Sequence, residues 1–187
     1  MSTSPETPYH HGDLRRALLE EALLILDRDG EAGLQLRDLA RAVNVSPAAP
    51  YRHFDSRAAL LEALAVTGFQ RFTKAMEAVA LESTGPGLRL AMGRAYVHFA
   101  LEHPGLFRLM FSSQLRRDNR PGLRMAADAA FQTLRHVTGS DTRSERIAAL
   151  AAWTQVHGLA VLLLDGQIAA RAGEDSDALI TAILDRL

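Results

Sequence analysis

The chain has 187 residues, no cysteine, a formal net charge of −1, and 48% hydrophobic against 23% charged residues. That length admits one large domain or two small ones, and the balance suits a globular chain able to bury a core. The lack of cysteine excludes disulfides and thiolate metal sites, and a charge near zero argues against indiscriminate nucleic-acid binding.

Residues 1–8 (MSTSPETP) are small, polar and proline-containing, and are expected to form a disordered tail. No basic segment followed by an apolar run opens the sequence, so no export signal is expected and the protein is placed in the cytoplasm. Asp13 is an N-cap candidate for a first helix on which Leu14, Ala17, Leu18, Ala22, Ile25 and Leu26 form an apolar stripe, ending near Gly30. Arg15 and Arg16, near its start, read either as a solvated face or as phosphate contacts. His10 and His11 are adjacent, a poor metal spacing, and no metal site is expected.

The stretch 35–57, QLRDLARAVNVSPAAPYRHFDSR, carries the most information. Leu36, Leu39, Ala40 and Val43 recur at i, i+3, i+4 and i+7, one face of a helix. Asn44 stands where a helix C-terminus calls for a left-handed residue. Ser46 can cap a second, short helix with Pro47 in its first position and its end near Phe54. Two helices joined by a tight turn form a helix-turn-helix, whose second helix enters the DNA major groove. Ser46, Pro47, Ala48 and Ala49 are small enough to let backbone and methyl groups approach base edges. Tyr51, Arg52 and His53 can donate to phosphate or base acceptors. Pro50 removes the first regular backbone bond of this helix, so an irregular first turn is expected. Four arginines (37, 41, 52, 57) against two aspartates (38, 55) give the stretch a net +2, the footprint of a specific, salt-sensitive binder.

From Ser56 a long helix is expected to run toward Glu82 and to link two halves of the molecule mechanically. STGPG at 83–87 breaks it. Further helices are expected at 88–102, 106–111, 123–137, 143–171 and 176–187, with a polar loop (RRDNRPG) at 116–122. No strand pattern appears, so the fold class is all-α with about nine helices.

Residues 147–164 (IAALAAWTQVHGLAVLLL) are apolar nearly all round. Thr154, Gln155 and His157 at the middle argue against a membrane span, and no membrane partner is expected. Part of the burial is assigned to a second copy. Leu179, Ile180, Ile183 and Leu184 of the last helix would complete a four-helix bundle, giving a homodimer through the 143–171 and 176–187 helices. Trp153 and His157, four apart, share one face. They read either as core or as pocket wall, and so do Phe99, Phe107, Met110 and Phe111. His98 and His103 are five apart, on different faces, which disfavours a shared metal.

LRDLARAVNVS, YRHF and Arg57 together resemble the tetracycline-repressor (TetR) family of bacterial transcription regulators, over roughly residues 9–70. The resemblance implies DNA contacts at Arg37, Ser46, Pro47, Ala48, Ala49, Tyr51, His53 and Arg57; Arg52 falls at a position the family varies. Gln35 and Pro50 depart from the family pattern, which commonly has a hydroxyl residue and an aliphatic one there. WTQVHG (153–158) with HPGLFRLMF (103–111) resembles the C-terminal domain of one TetR subgroup with a Trp-His-Gly signature, over roughly 87–170. That implies a dimerising, ligand-binding domain, with Phe99, Phe107, Met110, Trp153 and His157 as candidate pocket residues. The expected division is a tail at 1–8, a helix-turn-helix domain at 9–55, a linking helix at 56–82 and a C-terminal ligand-binding and dimerisation domain at 83–187.

No Gly-rich phosphate loop, HExxH, GxSxG or cysteine nucleophile is present, so neither catalytic residues nor a cofactor is expected. The expected function is a homodimeric regulator, a repressor on a palindromic DNA operator, released by a small-molecule effector. The alternative is a helical dimeric interaction module whose helix-turn-helix no longer reads DNA.

Overall fold

The structure is a computed structural model that describes residues 11–83, 85, 87–115, 119–136 and 142–186. The expected tail at 1–8, part of the loop at 116–122, the turn at 138–141 and the final residue of the last expected helix lie outside the described residues. Every regular element among the described residues is helical: α1 (His11–Asp29), α2 (Leu36–Ala42), α3 (Arg57–Glu82), α4 (Gly87–Glu102), α5 (Pro104–Met110), α6 (Pro121–His136), α7 (Arg143–Leu164) and α8 (Ser176–Leu184). Two 3-10 segments, Glu31–Gly33 and Pro50–Arg52, lie between them. Eight α-helices stand where about nine were expected, because the short helix expected after Ser46 is not α-helical. The chain divides into two compact units between Leu64 and Ala65, within α3.

In the first unit α1 begins at His11, ahead of the expected Asp13 cap, and buries Leu14, Leu18, Ala22, Ile25 and Leu26. α2 buries Leu36, Leu39 and Ala40, and the start of α3 adds Leu60, Leu61 and Leu64. Burying a leucine fully contributes about 2 kcal/mol, so these contacts outweigh the weak intrinsic stability of a seven-residue helix such as α2. α2 ends in a complete Schellman motif: Val45 N–H donates to the Ala40 carbonyl at 2.9 Å and Asn44 N–H to that of Arg41 at 3.2 Å. Asn44 is the one non-glycine residue with positive φ, 55°, among the described residues. The start of α3 is capped by Ser56, whose Oγ accepts the Ala59 N–H at 3.2 Å.

In the second unit Phe69, Phe72 and Met76 of α3 meet a core made by Met92, Tyr96, Val97 and Phe99 of α4 and Leu106, Phe107, Leu109 and Met110 of α5. Gly68 sets the approach of α3 to α5: a Cβ there would lie 2.8 Å from Met110 Sδ and 2.9 Å from Leu106 Cδ1. α5 and α6 each start two residues earlier than expected, at Pro104 and Pro121. In sequence these Pro-Gly pairs look like loop, but proline also fits the first turn of a helix, where its missing N–H has no partner to lose. α7 opens with a capping box: Thr142 Oγ1 accepts the Glu145 N–H at 3.3 Å, and Glu145 Oε2 accepts the Thr142 N–H at 2.9 Å.

α7 stops at Leu164, not at residue 171 as expected. Gly166, at φ 67°, sends its N–H to Leu163 and Gln167 sends its own to Leu162, a second Schellman ending. Arg108 of α5 closes the same terminus, donating to the Leu164 carbonyl at 3.1 Å and to Asp165 Oδ1 at 2.7 Å, where a cation complements the helix dipole. α8 is N-capped by Asp175 and joined to α4 through Asp177, whose carboxylate meets Arg94 Nη2 at 2.5 Å and His98 Nε2 at 2.7 Å.

The left-handed Asn44 gives the first test. Asn44→Gly should leave stability within about 0.5 kcal/mol of the native protein, and Asn44→Val should cost about 1–2 kcal/mol, both read from urea unfolding. Equal stability of the two variants would show that the Schellman turn does not constrain this site.

Candidate functional site

The first candidate surface is built on the segment after α2. Pro50 has no N–H to offer the Ser46 carbonyl, and that carbonyl takes the Ala49 N–H instead, at 2.9 Å. The following bonds, Arg52 N–H to Ala49 and His53 N–H to Pro50, keep the three-residue spacing, and Phe54 N–H returns to Pro50 at 2.9 Å. The expected short α-helix from Ser46 to Phe54 is therefore a series of turns closing in a 3-10 segment at Pro50–Arg52. Pro50 and Phe54 are buried and anchor the segment. Ser46, Pro47 and Ala48 are exposed and Ala49 is half-buried. Tyr51 is 46% exposed, Arg52 is exposed and His53 is half-buried.

The four arginines of the stretch fall into two groups. Arg41 pairs with Asp38 at 2.9 Å on the surface. Arg57 is partly buried: its Nε donates to the Leu34 carbonyl at 2.9 Å and its Nη2 to the Glu31 carbonyl. Arg37 and Arg52 are exposed. Arg15 of α1 lies over the Phe54 ring, 5.4 Å from its centre, so one of the two early arginines borders this surface.

The second candidate site lies wholly in the second unit. A cavity of about 190 Å³ is lined by Phe69 and Phe72 of α3, Tyr96 of α4, Phe111 just after α5, Asp128 and Phe131 of α6, and Trp153 of α7, with smaller apolar side chains between them. Tyr96 is buried and its hydroxyl is central: it accepts the Trp153 Nε1–H at 3.1 Å and lies 2.9 Å from His157 Nδ1. A buried hydroxyl proton needs an acceptor, so Tyr96 donates to Nδ1 and His157 carries its own proton on Nε2. Burial pushes the Tyr96 phenol well above its ordinary value, against the opposing pull of the Trp153 bond, so it stays protonated. Burial also lowers the His157 imidazole, which keeps it neutral and able to accept. The ring of His157 stands 4.6 Å from that of Phe111 and 5.4 Å from that of Phe107.

Of the residues expected to line a pocket, Trp153 is in this wall and His157 supports it through Tyr96. Phe99, Phe107 and Met110 are buried in the surrounding core and do not line the cavity. Tyr96, Asp128 and Phe131 were missed. α6 did carry a signal: Leu123, Ala127, Ala130 and Phe131 form a stripe in which two alanines leave a hollow among larger neighbours.

Residues 18–64 match the family model "Bacterial regulatory proteins, tetR family", and residues 90–187 match "Tetracyclin repressor-like, C-terminal domain". The chain belongs to the TetR family of bacterial regulatory proteins. A relative is the uncharacterized HTH-type transcriptional regulator YobS of Bacillus subtilis (strain 168), 31% identical over 96 residues. That match covers 51% of this chain and spans half the length of YobS. A solved structure of a protein of unknown function from Rhodococcus sp. RHA1 is 37% identical, with a TM-score of 0.81 over 97% of this chain and 96% of that one. AibR, solved with isovaleryl coenzyme A and operator DNA, shares the fold at 16% identity, with a TM-score of 0.67 over 93% of this chain and 97% of AibR. TetR-family members are regulators and not enzymes.

Two measurements test this geometry. A histidine held neutral binds fewer protons folded than unfolded, so its stabilising effect is complete above the ordinary value of 6.5 and is lost as pH falls below it. The melting temperature should drop by a few degrees between about pH 7 and about pH 5, and His157→Gln should flatten that step. Separately, Arg57→Ala should lower stability by about 1–3 kcal/mol, because it strips two carbonyls of a charged donor. A variant as stable as the native protein would assign Arg57 to the surface alone.

Proposed function

We propose that this TetR-family chain is a homodimeric DNA-binding repressor that holds a near-palindromic operator and is released by a small molecule bound in the second unit. The observation that carries the DNA half is the segment from Ser46 to His53. It presents small side chains first and donors after them, with Arg37 and Arg52 exposed on the same unit. The assigned contacts are Ser46, Pro47, Ala48 and Ala49 to base edges, and Arg37, Tyr51, Arg52 and His53 to phosphates or base acceptors, with Arg57 holding the α3 start in place. The short 3-10 geometry at Pro50 favours the other reading, an interaction module without DNA recognition, and the test below separates the two.

The dimer half is supported by α7. It is long and apolar enough to cross a membrane by length and composition, yet within one chain it buries only Ala149, Leu159 and Ala160. Ile147 is 56% and Leu162 43% exposed. A second copy packed on α7 and α8 accounts for this surface without a bilayer, and the centrally placed Thr154 and Gln155 fit an interface better than lipid. Such a two-fold dimer sets two half-sites about 34 Å apart. AibR, of the same fold, is a precedent for a regulator that takes both a small molecule and operator DNA. An effector shifts the equilibrium only if it binds the non-operator conformer better.

Footprinting on DNA flanking the coding sequence should show a protected near-palindrome. Tyr51→Ala with His53→Ala should weaken binding to every sequence by roughly tenfold or more while leaving the dimer intact in sedimentation. A dimer that protects no DNA at low salt would select the interaction module instead.

A further inference from the structure

We infer that the cavity behind Trp153 takes a small, flat aromatic molecule bearing a positive charge, with its ring among Phe72, Tyr96, Phe111, Phe131 and Trp153 and its cationic group at Asp128. This rests on reading the second unit as the effector-binding part and names the chemical class of that effector. The walls present ring faces and edges, which favour an aromatic or cationic occupant over a flexible aliphatic one. The volume, about 190 Å³, exceeds the roughly 150 Å³ that accommodates benzene and suits one or two fused rings.

The polar groups narrow the class further. Trp153 Nε1–H and the Tyr96 hydroxyl are committed to each other and to His157, so the wall offers an incoming carboxylate or phosphate no unused donor from these two side chains. Among the described residues no arginine, lysine or histidine lines the cavity, and Asp128, itself exposed to solvent, is the one charged residue of the wall. A smaller hollow of about 50 Å³, sharing Tyr96, Leu134 and Trp153 with the first, does hold Arg89 but has no room for a ring. An anionic effector would therefore enter a site with one carboxylate and no counter-charge among the described residues, and a cation would meet Asp128 and a wall of six aromatic residues.

The test uses three probes of one shape, 1-naphthylmethylamine, 1-naphthalenemethanol and 1-naphthoate, titrated by calorimetry into the full-length protein without DNA. The ammonium should bind about tenfold or more tighter than the alcohol, and the carboxylate weakest. Asp128→Asn should bring the ammonium down to the alcohol while leaving the affinity for the alcohol unchanged. Phe131→Ala, which removes a ring and no charge, should weaken the ammonium and the alcohol together. Tightest binding by the carboxylate, an ammonium preference that survives Asp128→Asn, or no binding of any probe to protein that still melts cooperatively would each overturn the inference. The repressor reading is decided by DNA protection without any ligand, so either reading can fail while the other stands.

Discussion

The Tyr96 hydroxyl is the group on which the second unit depends. It sits in a core of phenylalanine rings, where an unpaired hydroxyl would cost several kcal/mol, and it is satisfied twice, by Trp153 and by His157. Both partners belong to α7, one turn apart, so the two bonds fix the rotation of α7 against α4 as well as its distance. Phe72 and Phe107 meet the Tyr96 ring edge-on, with centres 5.1 and 5.8 Å away, and hold it from α3 and α5. The cavity is what this arrangement leaves over. Trp153 is held upright by its bond to Tyr96, and the small face of α6 does not fill the space in front of it. A ligand there would touch the side chains that set the α4–α7 register, which gives binding a physical route to a change in helix packing.

In the first unit the controlling constraint is backbone chemistry. Asn44 tolerates the left-handed turn that ends α2, and Pro50 withholds the N–H that would have continued the next segment as an α-helix. Between them the chain is forced into short turns, so Ser46 to Ala48 stand out from the surface while Pro50 and Phe54 hold the segment down. Arg57 then ties the start of α3 to the carbonyls of Glu31 and Leu34. The positive charge of the stretch is consequently smaller in effect than its count of four arginines. Arg41 is exposed but paired with Asp38, and Arg57 is turned partly inward, while Arg37 and Arg52 are exposed.

The all-helical class, the stripes of α1 and α2, the left-handed Asn44, the Ser56 cap and the start of α7 were legible in sequence because each follows from contacts within a turn or two of chain. The misses have a common physical cause. Proline in a first turn looks the same in sequence as proline in a loop, so α5 and α6 were begun late. Gly166 was read as interior to α7 because the apolar run before it gave no other sign of an end, whereas its positive φ closes the helix at Leu164. The segment after Ser46 was expected as α-helix because the general pattern outweighed one residue, and the missing N–H of Pro50 decided otherwise.

The sequence by itself determined which residues are apolar, where helices can start and stop, and that a helix-turn-helix resembling those of TetR regulators lies near the N-terminus. It did so because capping, periodicity and turn chemistry are local. Only the tertiary structure decided that Tyr96 joins Trp153 and His157, that Phe99, Phe107 and Met110 pack in the core and leave the cavity wall to others, and that Asp128 stands at the cavity. Those outcomes depend on residues dozens of positions apart meeting across α3, α4, α6 and α7. Which aromatic faces a neighbour and which faces a hollow is set by helix packing, a quantity no short window of sequence contains.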